Sequence, residues 1–418
     1  MHKLLSRIFE SLDERKIRYC LMRDGHEIEL LTDGGEVDML VEPRKLRQFG
    51  KLVASLGFIE LPGWGHQPHR FYVAYDAESD TWLKLDVVTK VAFGRPIHHL
   101  HTNLAKSCLQ NRQRSGATYI PSVDDEFLSL LLHCVVDKNY IREERGERLQ
   151  WLASHLDDMR YVEKVLKRYW SSGMSLGELT AVIARGDWTR LLAERAAVVE
   201  RLEATNPLGE LRRQRDRVLR RLNHWAGWWL PLRGPRAMSI ALLAPDGAGK
   251  STLAMGIEDS FFFPVRLVYM GLYQNESKRK KKRGIPGFGL FGRIAKQWRQ
   301  YAMARYHQAR GKLIIFDRYS YDALLTPRQK IGRLRQMRRS LLGKSCPAPN
   351  MVLFLDAPGE KLYARKGEHT PEILEAQRQN YLALQDQVPN MVVVDVDRDP
   401  DVVRRDVMQL IWRGYVGA

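Results

Sequence analysis

The chain has 418 residues, a formal net charge of +18 and a hydrophobic content of 44%. Its length exceeds one ordinary hydrophobic core, and its apolar content excludes wholesale disorder. The charge favours polyanionic partners, whether nucleotides, nucleic acid or an acidic membrane face, without choosing among them. No uncharged run is long enough to span a bilayer, so we expect a cytoplasmic protein, with attachment at a membrane surface as an alternative.

The first predicted domain, residues 1–121, is an α/β unit. It opens with an amphipathic helix, because apolar residues recur at helical spacing. These residues are Leu4, Leu5, Ile8, Phe9 and Leu12. Three short apolar or alternating runs then predict strands at Tyr19–Met22, Glu36–Glu42 and Trp82–Val88.

Two of these strands carry acidic side chains. Glu36 and Asp38 point to the same side of their strand, and Asp86 lies on the later one. Three convergent carboxylates suit two magnesium ions in nucleotidyl transfer. The arrangement resembles the nucleotidyltransferase fold, in which a glycine-serine loop precedes such a pair, although Arg23–Glu27 (RDGHE) stands there in this chain. The resemblance implies a magnesium site at the three carboxylates; acidic residues without a metal are the alternative.

Residues 122–232 form a predicted helical connector, because apolar positions recur there at i, i+3 and i+4. From residue 233 to 418 the chain alternates between strand and helix, as a parallel sheet with crossover helices requires. The expected strands are Ser239–Ala244, Val265–Tyr269, Leu313–Asp317, Met351–Leu355 and Met391–Val396. The fold class is therefore α/β, with a P-loop sheet following the nucleotidyltransferase-like domain and the connector.

The segment APDGAGKST, residues 244–252, stands between a predicted strand and a predicted helix. Its glycines let backbone N–H groups converge on phosphate oxygens at a helix N-terminus. Lys250 would bridge the β- and γ-phosphates of ATP, and Ser251 would ligate Mg²⁺. Ala244 replaces the first glycine of the GxxxxGK[ST] pattern. The predicted nucleotide-binding residues are Asp246, Gly247, Ala248, Gly249, Lys250, Ser251 and Thr252.

A second apolar strand, Leu313–Asp317, ends in a carboxylate that an arginine follows. Carboxyl ends of parallel strands carry the site in such sheets, so Asp317 would hold the metal or orient the acceptor. Arg318 would contact a phosphate in bidentate fashion. The alternative for the two residues is a surface ion pair.

Residues 237–412 resemble the thymidylate kinase-like group of nucleoside monophosphate kinases. The matching motifs are PDGAGKST, DRY at Asp317–Tyr319, VLFLDAP and ARKGEHTPEILEAQRQNY. The resemblance implies a lid in which Arg365, Lys366 and Arg378 cover the phosphates, with Arg365 acting beside Lys250, Asp317 and Arg318. It also implies a homodimer as one oligomeric state. A solvated helix face is the alternative for the three lid cations.

The acceptor region departs from that group. The arginine and proline-glycine signature after the second strand is absent, and SYDALLTP stands in place of the usual tyrosine-glutamine pair. Thymidine monophosphate is therefore disfavoured, and the segment looks more like divergent members from bacterial polysaccharide gene clusters. We predict acceptor contacts from Tyr319, Tyr321 and Arg305. A small molecule, a nucleotide, a sugar or a glycolipid stays open as the acceptor.

The run SKRKKKR, residues 277–283, has three interpretations. It is a solvated loop, or it attracts a phosphorylated substrate or an anionic membrane surface, or it binds nucleic acid. Nucleic acid is disfavoured because no aromatic platform accompanies the charges.

The sequence thus predicts an ATP-dependent phosphotransferase that uses Mg²⁺. One alternative is a nucleotidyltransferase acting through Glu36, Asp38 and Asp86. The other is a non-catalytic binding protein gated by ATP.

Overall fold

The computed structural model describes all residues except 23–27, 29–33, 63–65, 96, 139, 171–172, 230–236, 272–287, 328–330 and 418, and omits the side chains of 223–229 and 288. The chain divides into two compact units, unit 1 (Met1–Trp225) and unit 2 (Ala226–Ala418). Unit 1 includes both the predicted first domain and most of the predicted helical connector, and residues from the two parts pack in one apolar core. Cys20 and Leu40 pack in one cluster with Leu131 and Leu149.

Unit 1 contains a mixed five-stranded sheet. In chain order its strands are β1 (Tyr19–Leu21), β2 (Gly35–Val41), β3 (Ile59–Leu61), β4 (Arg70–Asp76) and β5 (Thr81–Val88). The strand order is β1-β2-β5-β4-β3, and only β2 and β5 pair in parallel. That pairing sets Asp38 directly opposite Asp86. Two short hairpins follow: β6 (Ala92–Phe93) with β7 (Leu100–His101), and β8 (Gln113–Ser115) with β9 (Thr118–Ile120).

Ten α-helices begin among the described residues of unit 1. They are α1 (Lys3–Glu14), α2 (Leu46–Ser55), α3 (Leu104–Gln110), α4 (Val123–Asp137), α5 (Glu143–Ser154), α6 (Met159–Tyr169), α7 (Leu176–Ala184), α8 (Trp188–Ala193), α9 (Arg195–Ala204) and α10 (Gly209–Trp229). The predicted apolar stripe of α1 is confirmed, since Leu5, Ile8, Phe9 and Leu12 are buried. Ser122 caps α4 by accepting a hydrogen bond from the backbone N–H of Asp125.

Unit 2 is built on a parallel five-stranded sheet. Its strands are β10 (Ser239–Leu243), β11 (Val265–Tyr269), β12 (Leu313–Asp317), β13 (Met351–Asp356) and β14 (Met391–Asp395), each within one residue of its prediction. The order is β11-β12-β10-β13-β14, with every pairing parallel. The central strand β10 is wholly buried, as a strand covered on both faces must be.

Among the described residues of unit 2, six α-helices alternate with or follow these strands along the chain. They are α11 (Lys250–Ser260), α12 (Phe288–Ala309), α13 (Arg333–Gly343), α14 (Gly359–Lys366), α15 (Pro371–Leu382) and α16 (Pro400–Val416). The alternation confirms the predicted parallel sheet with crossover helices. None of the described helices combines the length and apolarity needed to traverse a lipid bilayer.

Candidate functional site

The phosphate loop connects the central strand β10 to α11. Gly247 and Gly249 have positive φ values of +88° and +81°, a left-handed conformation that favours glycine. At Gly247 there is also no room for a side chain, because a Cβ atom would lie 2.4 Å from the carbonyl oxygen of Leu362 in α14. The backbone therefore turns tightly into the N-terminus of α11, where N–H groups and the helix dipole favour an anion.

Lys250, the first residue of α11, folds back over this loop. Its ammonium group donates to the carbonyl oxygens of Ala244, at 3.0 Å, and Pro245, at 2.8 Å. Because the contact at Ala244 is made by a backbone carbonyl, alanine serves there in place of glycine. Burial, and next the guanidinium of Arg318, lower the pKa of Lys250 from 10.5 to about 8.

Asp317 lies at the carboxyl end of β12, beside the loop. Its Oδ1 atom is buried and has no hydrogen-bond partner among the residues that the structure describes. An orphaned carboxylate oxygen costs free energy unless a cation or donor meets it. Ser251 offers an exposed hydroxyl in the first turn of α11. Hard oxygen donors of this kind are those that Mg²⁺ prefers, so the residues present fit the predicted ion.

Arg318 forms ion pairs with two carboxylates at the phosphate loop. Its guanidinium lies 2.8 Å from Asp246 of the phosphate loop and 3.5 Å from the buried Asp322. Tyr381 donates to the other oxygen of Asp322, at 3.0 Å. Arg318 also has a positive φ of +65°, which is strained for a residue with a side chain and is typical of functional sites. A chain of four polar groups thus joins the loop to α15.

The predicted lid cations make contacts within unit 2. Arg378 of α15 contacts both oxygens of Asp356, at 2.6 and 3.0 Å, so it anchors α15 to the end of β13. Arg365 donates to the carbonyl oxygen of Val396, at 2.9 Å, and Lys366 pairs with Glu368. In this conformation all three have protein partners. The helix that carries Arg365 and Lys366 is nevertheless the one that touches Gly247.

The predicted acceptor residues require correction. Tyr319 has 0% exposure and donates to the carbonyl oxygen of Pro347, and Tyr321 lies with it in the apolar core of unit 2. Because Tyr321 is only 5% exposed, neither ring has surface to offer an acceptor. Arg305 is exposed and bonds Gln308, which donates to the carbonyl oxygen of Ala237 ahead of β10. That places Arg305 at the opposite edge of the sheet from the loop.

The predicted carboxylates of unit 1 come together. Ligand oxygens of Glu36, Asp38 and Asp86 all lie within 4.8 Å of one another, a grouping that could hold a metal ion. Side chains of unit 1 contact this cluster. Lys84 pairs with Glu36 at 2.9 Å, and His69 Nδ1 lies 2.7 Å from Asp86 Oδ1. The Arg23–Glu27 element and the basic run 277–283 lie outside the described residues.

Sequence reasoning missed several residues of these networks, among them Asp322, Tyr381 and His69. Asp322 carried a signal, since it follows Arg318 by four residues, the spacing of an ion pair on a helical turn. Tyr381 and His69 reach their partners across 59 and 17 residues, and no local pattern announces such contacts.

Comparison with known proteins gives similarity in the solved structures only, since no protein-family model and no curated protein matches the chain. The thymidylate kinase of Candida albicans is 20% identical, with 43% of this chain and 94% of that chain covered at a TM-score of 0.35. Two structures of M. mycoides deoxyadenosine kinase are 16% and 17% identical, covering 42% of this chain and 98% of theirs at TM-scores of 0.32 and 0.30. One of them holds dCMP and dCDP, and the other dATP.

Proposed function

We propose that unit 2 is an ATP-dependent phosphotransferase that moves the γ-phosphoryl group of ATP to an acceptor. The observation that carries this proposal is the meeting of a phosphate loop with an orphaned carboxylate. Lys250 and the N-terminus of α11 supply positive potential, while Oδ1 of Asp317 lacks a partner among the described residues. Simple nucleotide binding would require the loop but not the carboxylate.

Each group has a role in this proposal. The backbone N–H groups from Gly247 to Lys250 hold the β-phosphate, and the Lys250 ammonium exchanges its loop carbonyls for phosphate oxygens. Ser251 and Asp317 would hold Mg²⁺, which neutralises charge on the transferred group. Thr252 is exposed in the first turn of α11. Catalysis then consists of positioning and charge neutralisation, and the chain needs no covalent intermediate.

Arg318 contributes by changing partners. Its guanidinium pairs with Asp246 and Asp322. A phosphate oxygen that enters the loop would compete with Asp246 for the guanidinium of Arg318. The buried Asp322 would keep that guanidinium oriented. Arg365 and Lys366 lie on the helix that contacts Gly247, so a small movement of α14 would bring them to the phosphates.

The proposal is tested by turnover of the purified chain. ADP formation from ATP and Mg²⁺ is measured with a panel of nucleoside monophosphates, sugars and glycolipids. We expect Lys250→Ala to lower phosphoryl transfer by about three orders of magnitude, because it removes the charge nearest the transferred group. Arg305→Ala is the matched control, since it removes a cation from the opposite edge of the sheet, and it should keep full activity.

Two outcomes contradict the proposal. Unchanged turnover in Lys250→Ala would place the activity elsewhere. ATP binding without transfer to any acceptor would favour the ATP-gated binding protein instead.

A second candidate function is nucleotidyl transfer in unit 1, favoured by the convergence of Glu36, Asp38 and Asp86 within 4.8 Å. Three carboxylates at this spacing suit the two-metal arrangement of that reaction. It is tested by pyrophosphate release from nucleoside triphosphates across the same panel. Loss of pyrophosphate release in Asp38→Asn, with release retained in Lys250→Ala, would support this function. Pyrophosphate release that is lost in Lys250→Ala and retained in Asp38→Asn would contradict it.

A further inference from the structure

The helix α10 concentrates positive charge on one face. Four of its arginines, Arg213, Arg217, Arg220 and Arg221, follow the spacing 4, 3 and 1. At 3.6 residues per turn their side chains lie within about 100° of the helix circumference. Arg215, which falls outside this arc, instead pairs with the buried Asp216 at 2.8 Å.

These four arginines line a cavity of about 250 Å³ in unit 1. The facing wall is the segment that connects β6 to β7, which contributes Gly94, Arg95, Ile97 and His99. Five arginines therefore line one concave space, and no acidic residue is among those that line it. Positive charges that line one cavity repel one another, and a bound anion would reduce this repulsion.

The facing wall is a built surface. Gly94 has a φ of +97°, and its N–H donates to Asp137 Oδ1 at 2.7 Å. The buried ring of His99 packs against Gly94, where a Cβ atom would lie 2.8 Å from it, and its Nδ1 contacts the carbonyl oxygen of Ile97 at 2.8 Å. Because these contacts fix the backbone, the wall keeps its shape without a ligand.

One lining arginine has an acidic neighbour on the same helix. Glu210 lies 3.3 Å from Arg213, but both side chains are about half exposed, where such a pair is weak. The positive potential also acts on nearby imidazoles. Burial and, after it, Arg220 lower the pKa of His66. Burial, Lys90 and Arg212 lower the pKa of His101 to about 4.

The cavity is close to the carboxylate cluster through a layer of histidines. His98, between the lining residues Ile97 and His99, contacts the ring of His69 in a tilted arrangement, with the ring centroids 4.5 Å apart. His69 in turn contacts Asp86. The loop that forms the facing wall therefore contacts a residue that holds Asp86 of the carboxylate cluster.

We propose that this cavity, lined by Arg95, Arg213, Arg217, Arg220 and Arg221, is a second anion site that binds the diphosphate or phosphate ester of a small molecule. Its volume equals that of roughly eight water molecules, enough for a diphosphate or a sugar phosphate but not for a nucleic-acid strand. Guanidinium groups match phosphate oxygens in bidentate geometry. The site is separate from the phosphate loop and does not depend on the activity proposed for unit 2.

The test measures pyrophosphate binding by calorimetry in the full chain. Lys250→Ala is used as the background, so that the phosphate loop does not contribute. We expect Arg217→Gln combined with Arg220→Gln to weaken binding about tenfold or more, since two charge-assisted contacts are lost. The matched control is Arg160→Gln with Arg190→Gln, which removes the same charge from exposed positions of unit 1 outside the cavity and should bind normally.

Glucose 1-phosphate and phosphatidylglycerol vesicles distinguish the sources of the phosphate. Binding of pyrophosphate and glucose 1-phosphate supports a soluble ligand, and vesicle binding that pyrophosphate displaces supports a lipid headgroup. Absence of binding to every probe, or equal weakening in both pairs of variants, would overturn the proposal. Should the cavity variant unfold, protection of Arg217 and Arg220 from phenylglyoxal by pyrophosphate, followed by mass spectrometry, decides the matter in the unmutated helix.

Discussion

The carboxylates of the two units differ in how far the protein itself satisfies them. In unit 1, Lys84 pairs with Glu36 and His69 contacts Asp86. In unit 2, the buried Oδ1 of Asp317 has no partner among the described residues. A cluster that meets its own charge is complete on folding, whereas an orphaned oxygen has a stabilising partner only when a ligand arrives. The phosphate loop with Asp317 is therefore better suited to bind a metal ion than the carboxylate cluster of unit 1.

The largest expected effect tests this difference directly. Asp317→Asn should lower phosphoryl transfer by about two to three orders of magnitude, because it removes the charge that would hold the metal. It should not lower the free energy of unfolding by more than about 1 kcal/mol, since no native hydrogen bond to Oδ1 is lost. Turnover and chemical unfolding of the same preparation measure both quantities.

Asp86→Asn is the counterpart in unit 1. It weakens a contact with His69 that is mostly buried, so we expect a loss of about 1–3 kcal/mol in the free energy of unfolding. Phosphoryl transfer by unit 2 should remain. If Asp317→Asn destabilises the protein more than Asp86→Asn does, the comparison between the two units is wrong.

The next effect concerns backbone geometry. Gly247→Ala adds a Cβ atom 2.4 Å from the Leu362 carbonyl oxygen at a left-handed residue, whereas Gly249→Ala meets nothing within 4 Å. We expect Gly249→Ala to cost about 1–2 kcal/mol of stability from its φ alone, and Gly247→Ala to cost more. Gly247→Ala should also weaken ATP binding more than tenfold.

Gly57→Ala in unit 1 is the matched control, because it has a φ of +91° and open space around it. Thermal unfolding and ATP titration of the three variants separate left-handed strain from the clash. Equal losses of ATP affinity in Gly247→Ala and Gly57→Ala would show that the contact with α14 does not shape the loop.

The smallest effect is a pH dependence. The pKa of Lys250 is lowered to about 8 by burial, and bound phosphates would raise it again. At pH 9 the Lys250 side chain is mostly neutral before ATP binds and becomes charged on binding, so ATP binding should take up a proton. The affinity for ATP should therefore fall by up to about tenfold per pH unit above pH 8. At pH 7 the lysine is charged in both states, and no uptake from it is expected.

Calorimetry in buffers of different ionisation enthalpy counts the protons. Lys250→Arg keeps its charge at both pH values and should show no such uptake at pH 9. Uptake that persists in this variant would assign the proton to another group.

The sequence predicted well what depends on local pattern. All five strands of unit 2 appear within one residue, because apolar runs between glycine turns and polar helices leave little choice of register. The convergence of Glu36, Asp38 and Asp86 followed from strand alternation and the parallel pairing of β2 with β5. These results concern positions along elements rather than contacts between distant ones.

Side-chain partners across the fold were not predictable in the same way. Tyr319 is the last residue of the DRY motif, yet its ring is buried in the core. Arg305 lies at the end of the sheet opposite the loop, because α12 runs back to the start of β12. Arg378 meets Asp356 across 22 residues. Motif spacing predicts where a residue lies along a strand or helix. It does not predict which of several nearby carboxylates pairs with a long, flexible arginine or lysine side chain.

The central position of β10 in its sheet affects how readily the phosphate loop unfolds locally. Parallel neighbours hold β10 on both sides, while β11 and β14 lie at the ends of the described sheet. Local opening begins where backbone hydrogen bonds are exposed, so the end strands should exchange their amide hydrogens first and β10 among the last. The strand that enters the phosphate loop is thus in the segment that stays folded longest, and the loop keeps its foundation while the periphery of the sheet frays.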